Sequence, residues 1–198
     1  MKIVLAITGA SGSVYGRRAY DYLSQEKGIE LSAIVSKGAL AVAKTEGVSL
    51  PPFGANVHEE TDFMAFFASG SNAPDAMLVA PCSLKTLSAI ANGYCDNLVS
   101  RSAEVCLKEG KKLVLVIRET PLSPIALENM LKLSRIGATV LPASPGFYSK
   151  PSSVNDMVDF VIGKSLDSLG IGNSLFKRWA HDATDPRQKP GAGSVPPK

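Results

Sequence analysis

With 198 residues, 45% of them hydrophobic, the chain is long enough for one domain with a full core. The net charge of +3 comes from scattered lysines and arginines, without the basic stripe and interleaved aromatics of a nucleic-acid surface. Cys82, Cys95 and Cys106, with His58 and His181, follow no disulfide or metal spacing, and no apolar run suits a signal peptide or a bilayer span, so a metal-free cytoplasmic protein is expected.

The chain opens on a hydrophobic strand, Ile3 to Ile7, that runs into the turn Thr8-Gly9-Ala10-Ser11-Gly12-Ser13. Glycines there let the backbone turn tightly and approach a guest, while the amides opening the next helix and the Ser11 and Ser13 hydroxyls can donate to phosphate oxygens. The helix is predicted over Tyr15 to Gln25, with Ser13 as its cap and Gly28 beyond its end. A second strand, Glu30 to Val35, reads as buried parallel sheet. A nicotinamide dinucleotide site places an acidic residue about 20 positions past the glycines to hold the ribose hydroxyls. Here the strand ends on Ser36-Lys37-Gly38, and a hydroxyl with a cation suits phosphate better than a diol. A mononucleotide is therefore favoured over NAD.

Ala39 to Thr45 predicts a short helix stopped by Gly47, Leu50 to Gly54 a rigid Pro-Pro loop, and Asp62 to Phe67 a short apolar helix. Ala76 to Ala80 is a third strand ending at Pro81-Cys82-Ser83. The small-residue helix Thr86 to Ala91 follows it, suited to close packing or to an oligomeric contact. A helix over Leu98 to Lys108 and a strand over Leu113 to Ile117 come next. Ser123 then caps, Pro124 takes the first helical position, and Ile125 to Arg135 continues to Gly137. Thr139 to Leu141 is a fifth strand, and the helix Val154 to Leu169 ends before Gly170. Repeated strand–helix order implies an α/β fold with a parallel sheet covered by helices on both faces. Residues 1–180 form one expected domain, and the Pro/Gly/Lys-rich tail 181–198 is expected to be mobile unless a partner holds it.

In such a sheet, ligand groups gather at the carboxyl ends of the strands. Those ends carry Ser11, Ser36, Ser83, Arg118-Glu119 and the loop preceding Phe147-Tyr148, which together read as a polar small-molecule site on one rim.

Thr8-Gly9-Ala10-Ser11-Gly12, Ser36-Lys37, Pro81-Cys82-Ser83, Lys85-Thr86-Leu87-Ser88-Ala89, Arg118-Glu119-Thr120-Pro121-Leu122, Leu127-Glu128-Asn129-Met130 and Pro145-Gly146-Phe147-Tyr148 form a collinear set that resembles the flavin prenyltransferase family. The similarity runs from the first strand to Trp179. It implies a three-layer, flavodoxin-like (Rossmann-like) fold and transfer of a dimethylallyl group from dimethylallyl phosphate to N5 and C6 of reduced FMN. The products are prenylated FMN and phosphate, with no metal required. It also implies a dodecamer with active sites where subunits meet, and a partner decarboxylase that uses the product.

Carried over by this resemblance, Gly9, Ala10, Ser11, Ser36, Ser83, Thr86 and Arg118 match flavin-binding positions. Glu46, Arg101, Lys108, Glu119 and Tyr148 match those around the prenyl phosphate and the reacting centre, and Trp179 an aromatic near the allyl group. Lys164 stands where relatives carry Arg, keeping the charge for phosphate but not the planar fork. Ser11, Glu46, Glu119 and Trp179 are the expected catalytic residues, the proton transfers being divided in an open way between Ser11 and Glu119. Two rival readings are a cysteine-decarboxylase-type flavoprotein, whose catalytic His finds no match in His58 or His181, and a non-catalytic FMN carrier.

Overall fold

The computed structural model describes residues 1–179. His181 and the expected tail 181–198 lie outside the described residues. Six parallel strands, β1 (Lys2–Ile7), β2 (Glu30–Val35), β3 (Val57–Glu59), β4 (Ala76–Cys82), β5 (Lys112–Ile117) and β6 (Thr139–Pro142), form one sheet in the order β3-β2-β1-β4-β5-β6. Six helices connect or flank them: α1 (Ser13–Leu23), α2 (Lys37–Glu46), α3 (Leu84–Ala91), α4 (Leu98–Lys108), α5 (Pro124–Arg135) and α6 (Val154–Leu169). Without the three-residue edge strand β3, the order is flavodoxin-like.

The strands read as hydrophobic runs because both faces are buried. Alternate side chains go to opposite cores: Val4, Ala6, Met77 and Val79 pack on one face with Phe67 and the helices α3 to α5, and Ile3, Leu5, Leu78 and Val114 pack on the other with α1 and α6. Fully burying one such side chain stabilises the fold by roughly 1.5–3 kcal/mol. Gly16 brings α1 close to the sheet, since a side-chain carbon there would stand 2.6 Å from the Ala80 carbonyl oxygen.

Several local expectations are corrected. The segment Asp62 to Phe67 forms turns and one 3-10 turn at Phe66–Ala68 instead of a helix, because Asp62 is engaged by His58 Nδ1 at 2.8 Å and Phe67 is drawn into the core. Strand β3 was not anticipated. β4 runs past Pro81 to Cys82, with an irregular register against β5. The small-residue helix α3 spends its buried face, Ala89, Ile90 and Ala91, on packing within the subunit against α4 and α5.

The chain leaves β1 first toward β2 and β3, and later toward β4, β5 and β6. The order therefore reverses between β1 and β4, and a crevice opens there at the carboxyl ends of the strands. Among the described residues, no helix is long and apolar enough to cross a membrane.

Candidate functional site

A cavity of about 540 Å³ lies at that reversal point. Thr8, Gly9, Ala10 and Ser11 line it from the β1 end, Ser36 and Gly38 from the β2 end, Ser83 to Thr86 from the β4 end, and Arg118 and Glu119 from the β5 end. All seven residues expected to bind flavin are among them, together with Ser11 and Glu119 of the expected catalytic set.

Thr8 ties the two central strand ends together. Its hydroxyl donates to the Pro81 carbonyl oxygen at 2.7 Å and accepts from the Ser83 amide at 2.9 Å. Ser36 and Ser83 begin α2 and α3 as caps, accepting from the Ala39 amide at 3.0 Å and the Thr86 amide at 3.3 Å. Ser83 Oγ also donates to Thr86 Oγ1 at 3.0 Å. The amides of Gly38 and Lys85 have no protein acceptor among the described residues, so two helix N-termini present donors toward an anion.

The third N-terminus is closed, which corrects the expected role of the first turn. Gly12, at φ 99°, precedes α1, and Ser13 is its first residue rather than its cap. Glu46, at the far end of α2, accepts from the Gly12 amide at 2.7 Å and the Ser13 amide at 2.8 Å. Burial raises the Glu46 pKa, but the Gly12 amide, the Ser11 hydroxyl and the Ser13 amide outweigh it and hold the carboxyl below its ordinary value. These amides thus serve an internal carboxylate rather than a phosphate, and the Ser13 hydroxyl is fully buried away from the cavity.

Two basic residues line the cavity among the described residues: Lys85, which stands 3.7 Å from Asp96, and Arg118, which has an unmet need. Its Nε is buried and has no hydrogen-bond partner among the described residues. Beside it, the Glu119 carboxylate accepts from the Thr120 amide at 3.0 Å and has no other hydrogen-bond partner among the described residues.

The remaining expected residues are not brought to this cavity by their own chain. Arg101 Nε donates to the Ala68 carbonyl oxygen at 3.0 Å. Lys108, at the other end of α4, pairs with Glu109 at 2.7 Å. Lys108 is nine positions beyond the cavity-lining Val99, roughly 14 Å along a helix. Tyr148 packs edge-on against Phe160 and Trp179 at ring distances of 5.7 and 5.3 Å, and Lys164 lies 3.9 Å from Asp167. The loop before Phe147-Tyr148 is therefore part of a separate aromatic cluster rather than of the cavity wall.

Sequence reasoning passed over Glu60, Asn97 and Val99 as lining residues. Glu60 accepts from the Lys37 amide at 3.0 Å and follows β3, so only recognition of that strand would have pointed to it. Asn97 caps α4 by accepting from the Ser100 amide at 3.0 Å, a signal visible in Asn97 preceding an apolar-periodic run. Among the described residues, no group of three or more His, Cys, Asp or Glu side chains is placed to hold a metal ion. The buried thiols Cys82 and Cys106 are unreactive in character, burial pushing Cys106 up to about 12.

The family model described as Flavoprotein matches residues 1–166. The flavin prenyltransferase UbiX of Methanocaldococcus jannaschii is 49% identical over 183 residues, covering 90% of this chain and 98% of that protein. A crystal structure of AnUbiX (PadA1) in complex with FMN and dimethylallyl pyrophosphate superimposes with a TM-score of 0.84 at 43% identity, over 90% of this chain and 96% of that one. A dodecameric FMN-dependent UbiX-like decarboxylase from Escherichia coli O157:H7 gives 0.84 at 41% identity, over 90% and 99%.

Proposed function

The chain belongs to the flavin prenyltransferase family, and we propose that it joins a dimethylallyl group from dimethylallyl phosphate to reduced FMN bound in the strand-end cavity. FMN is a substrate in this reaction: its reduced ring supplies the nucleophilic N5 and C6. The enzyme is a prenyltransferase and a flavoprotein. The buried, unpartnered Nε of half-buried Arg118 carries the reading, because such a donor costs about 1–3 kcal/mol unless a ligand satisfies it. The free amides of Gly38 and Lys85 and the hydroxyls of Ser36 and Thr86, the latter oriented by the hydrogen bond it accepts from Ser83, add donors for the FMN phosphate on two adjacent helix N-termini.

The chemistry of transfer asks for two more things. Charge grows on the departing phosphate, and a proton must be delivered or removed. Glu119, on the cavity wall with one oxygen engaged by the Thr120 amide, is the acid–base group, and Ser11 orients the ring or assists. Glu46 acts at one remove, holding the Gly9 to Ser13 turn in shape. Lys164 and the Tyr148 hydroxyl, with Arg101 and Lys108, balance the phosphate charge, and the Trp179 indole offers a π face to the allyl fragment.

Since these last five residues do not line their own chain's cavity, a neighbouring subunit supplies some of them. The dodecameric E. coli relative supports this, as do Ile125, Leu127 and Leu131, which α5 leaves 70, 51 and 51% exposed. Light scattering is expected to find a homo-oligomer of twelve subunits. The product then serves a prenylated-FMN-dependent decarboxylase.

The test is anaerobic turnover of reduced FMN with dimethylallyl phosphate and, separately, dimethylallyl pyrophosphate, with mass measurement of the extracted flavin. A gain of one five-carbon unit, faster from the monophosphate, is the expected result. Flavin recovered unchanged with both donors identifies an FMN carrier instead.

A further inference from the structure

The segment from Ile171 to Trp179 folds back along α6 and is fastened to it at several points. Asn173 Nδ2 donates to the Gly163 carbonyl oxygen at 3.1 Å and to Asp167 Oδ1 at 2.9 Å. Phe176 lies over the bare backbone of Gly163, where a side-chain carbon would come 2.5 Å from its ring. Arg178 then grips Asp167 with both terminal nitrogens, at 2.9 and 2.8 Å, and its guanidinium stands 5.1 Å over the Phe176 ring. The next residue is Trp179, edge-on to Tyr148.

Asp167 therefore has two cationic neighbours. Arg178 holds it through a bidentate pair, whereas Lys164, one turn earlier on the same helix face, remains 3.9 Å away. Planar fork geometry favours the arginine over a flexible ammonium. The hydrogen bonds from Arg178 keep the Asp167 carboxyl below its ordinary range, so it stays charged at neutral pH. Left alone, an Asp three residues beyond a Lys on a helix pairs with it.

We propose that Arg178 is a positioning residue for the prenyl donor: by taking the hydrogen-bonding positions of Asp167 it leaves the Lys164 ammonium with only a 3.9 Å ion-pair contact there, available to the donor phosphate, and by the same bonds it seats Trp179 against Tyr148. The inference rests on the functional reading above, in which Lys164 meets that phosphate. It gives Lys164 a device that offsets the missing fork, since the competing carboxylate already takes its hydrogen bonds from Arg178.

Calorimetric titration of the oligomer loaded with oxidised FMN, using dimethylallyl phosphate as probe, measures donor binding without turnover. Arg178→Gln is expected to weaken donor binding about tenfold, equivalent to ~1.4 kcal/mol, with FMN affinity unchanged. Asp167→Asn has a smaller effect, because no carboxylate remains to capture Lys164. The double variant should return to the Asp167→Asn value instead of summing the two losses. Trp179 is the single tryptophan in the chain, so acrylamide quenching reports its seating directly and should increase in both single variants. Wild-type donor affinity in a folded Arg178→Gln protein, additive losses in the double variant, or unchanged quenching would each overturn the proposal. Failure to prenylate reduced FMN would instead strike the functional reading, and these binding and quenching measurements stand independently of it.

Discussion

Gly9 and Gly38 meet backbone to backbone beside the cavity: a side-chain carbon on Gly9 would stand 3.0 Å from both the Cα and the carbonyl carbon of Gly38. This contact lets the turn after β1 nest against the first turn of α2, so Ser11 and Ser36 approach the cavity from adjacent strand ends. Neither glycine is at a positive φ, so the requirement is one of space.

Gly9→Ala should therefore force the turn and α2 apart. Overpacking of this kind typically costs ~1–3 kcal/mol, because backbone on both sides must move. Thermal unfolding should show that loss, and FMN titration should show weakened binding in protein that remains folded. Wild-type FMN affinity in Gly9→Ala would dismiss the contact as a determinant of the site.

Arg118 supplies the second test. Arg118→Gln removes the charge and should weaken FMN binding by about 10- to 100-fold, in line with ~1.5–3 kcal/mol for a hydrogen bond to a charged group. Arg118→Lys keeps the charge without the fork and should fall between Gln and wild type. Equal affinities for all three proteins would remove Arg118 from flavin binding.

Glu46 makes a pH-dependent contribution to stability. Its carboxyl titrates lower in the folded chain than in the unfolded one. The clamp on α1 is therefore fully present above the ordinary carboxylate pKa and is lost as pH falls through the depressed folded value. Glu46→Gln should cost about 1 kcal/mol near neutral pH, the usual size of an N-terminal cap, trimmed by solvent because the side chain is exposed. Denaturant melts of the two proteins should differ near neutrality and converge in acid. A constant difference down to strongly acidic pH would show that the carboxylate charge is not the cause.

Glu119→Gln preserves shape and removes the titratable proton. Turnover should fall by ~10²–10⁴-fold, the range for a positioned acid or base, while FMN and donor still bind. Single-turnover measurement of product mass against time checks this, and wild-type rates would leave the proton transfers to Ser11, the phosphate or solvent.

The parts of this protein legible in the sequence are those whose causes are local. Ile3 to Ile7 and Ala76 to Ala80 declare themselves as strands because both faces are buried, which forces an unbroken apolar run. Ser123 is readable in advance because it caps within three residues of itself, accepting from the Ala126 amide. Five strands and their crossover helices followed, and with them the rim on which Ser11, Ser36, Ser83 and Arg118 gather. The motifs along that rim were enough to point to the family.

Other features depend on partners far along the chain, and for these the tertiary structure decided. Val57 to Glu59 is a strand because Ala33 to Val35 offers it an open edge, and three residues carry too little pattern to announce that. The first helix looked capped by Ser13, but the group that closes it is Glu46, 33 and 34 positions away from the two amides it accepts. The expected site residues divide for the same reason. Those at the carboxyl ends of β1, β2, β4 and β5 converge on one cavity, whereas Arg101, Lys108, Tyr148, Lys164 and Trp179 belong to helix faces and a folded-back segment whose position is set by packing. Periodicity and motif spacing report what each residue needs from its near neighbours, and only the folded chain determines which distant groups supply the rest.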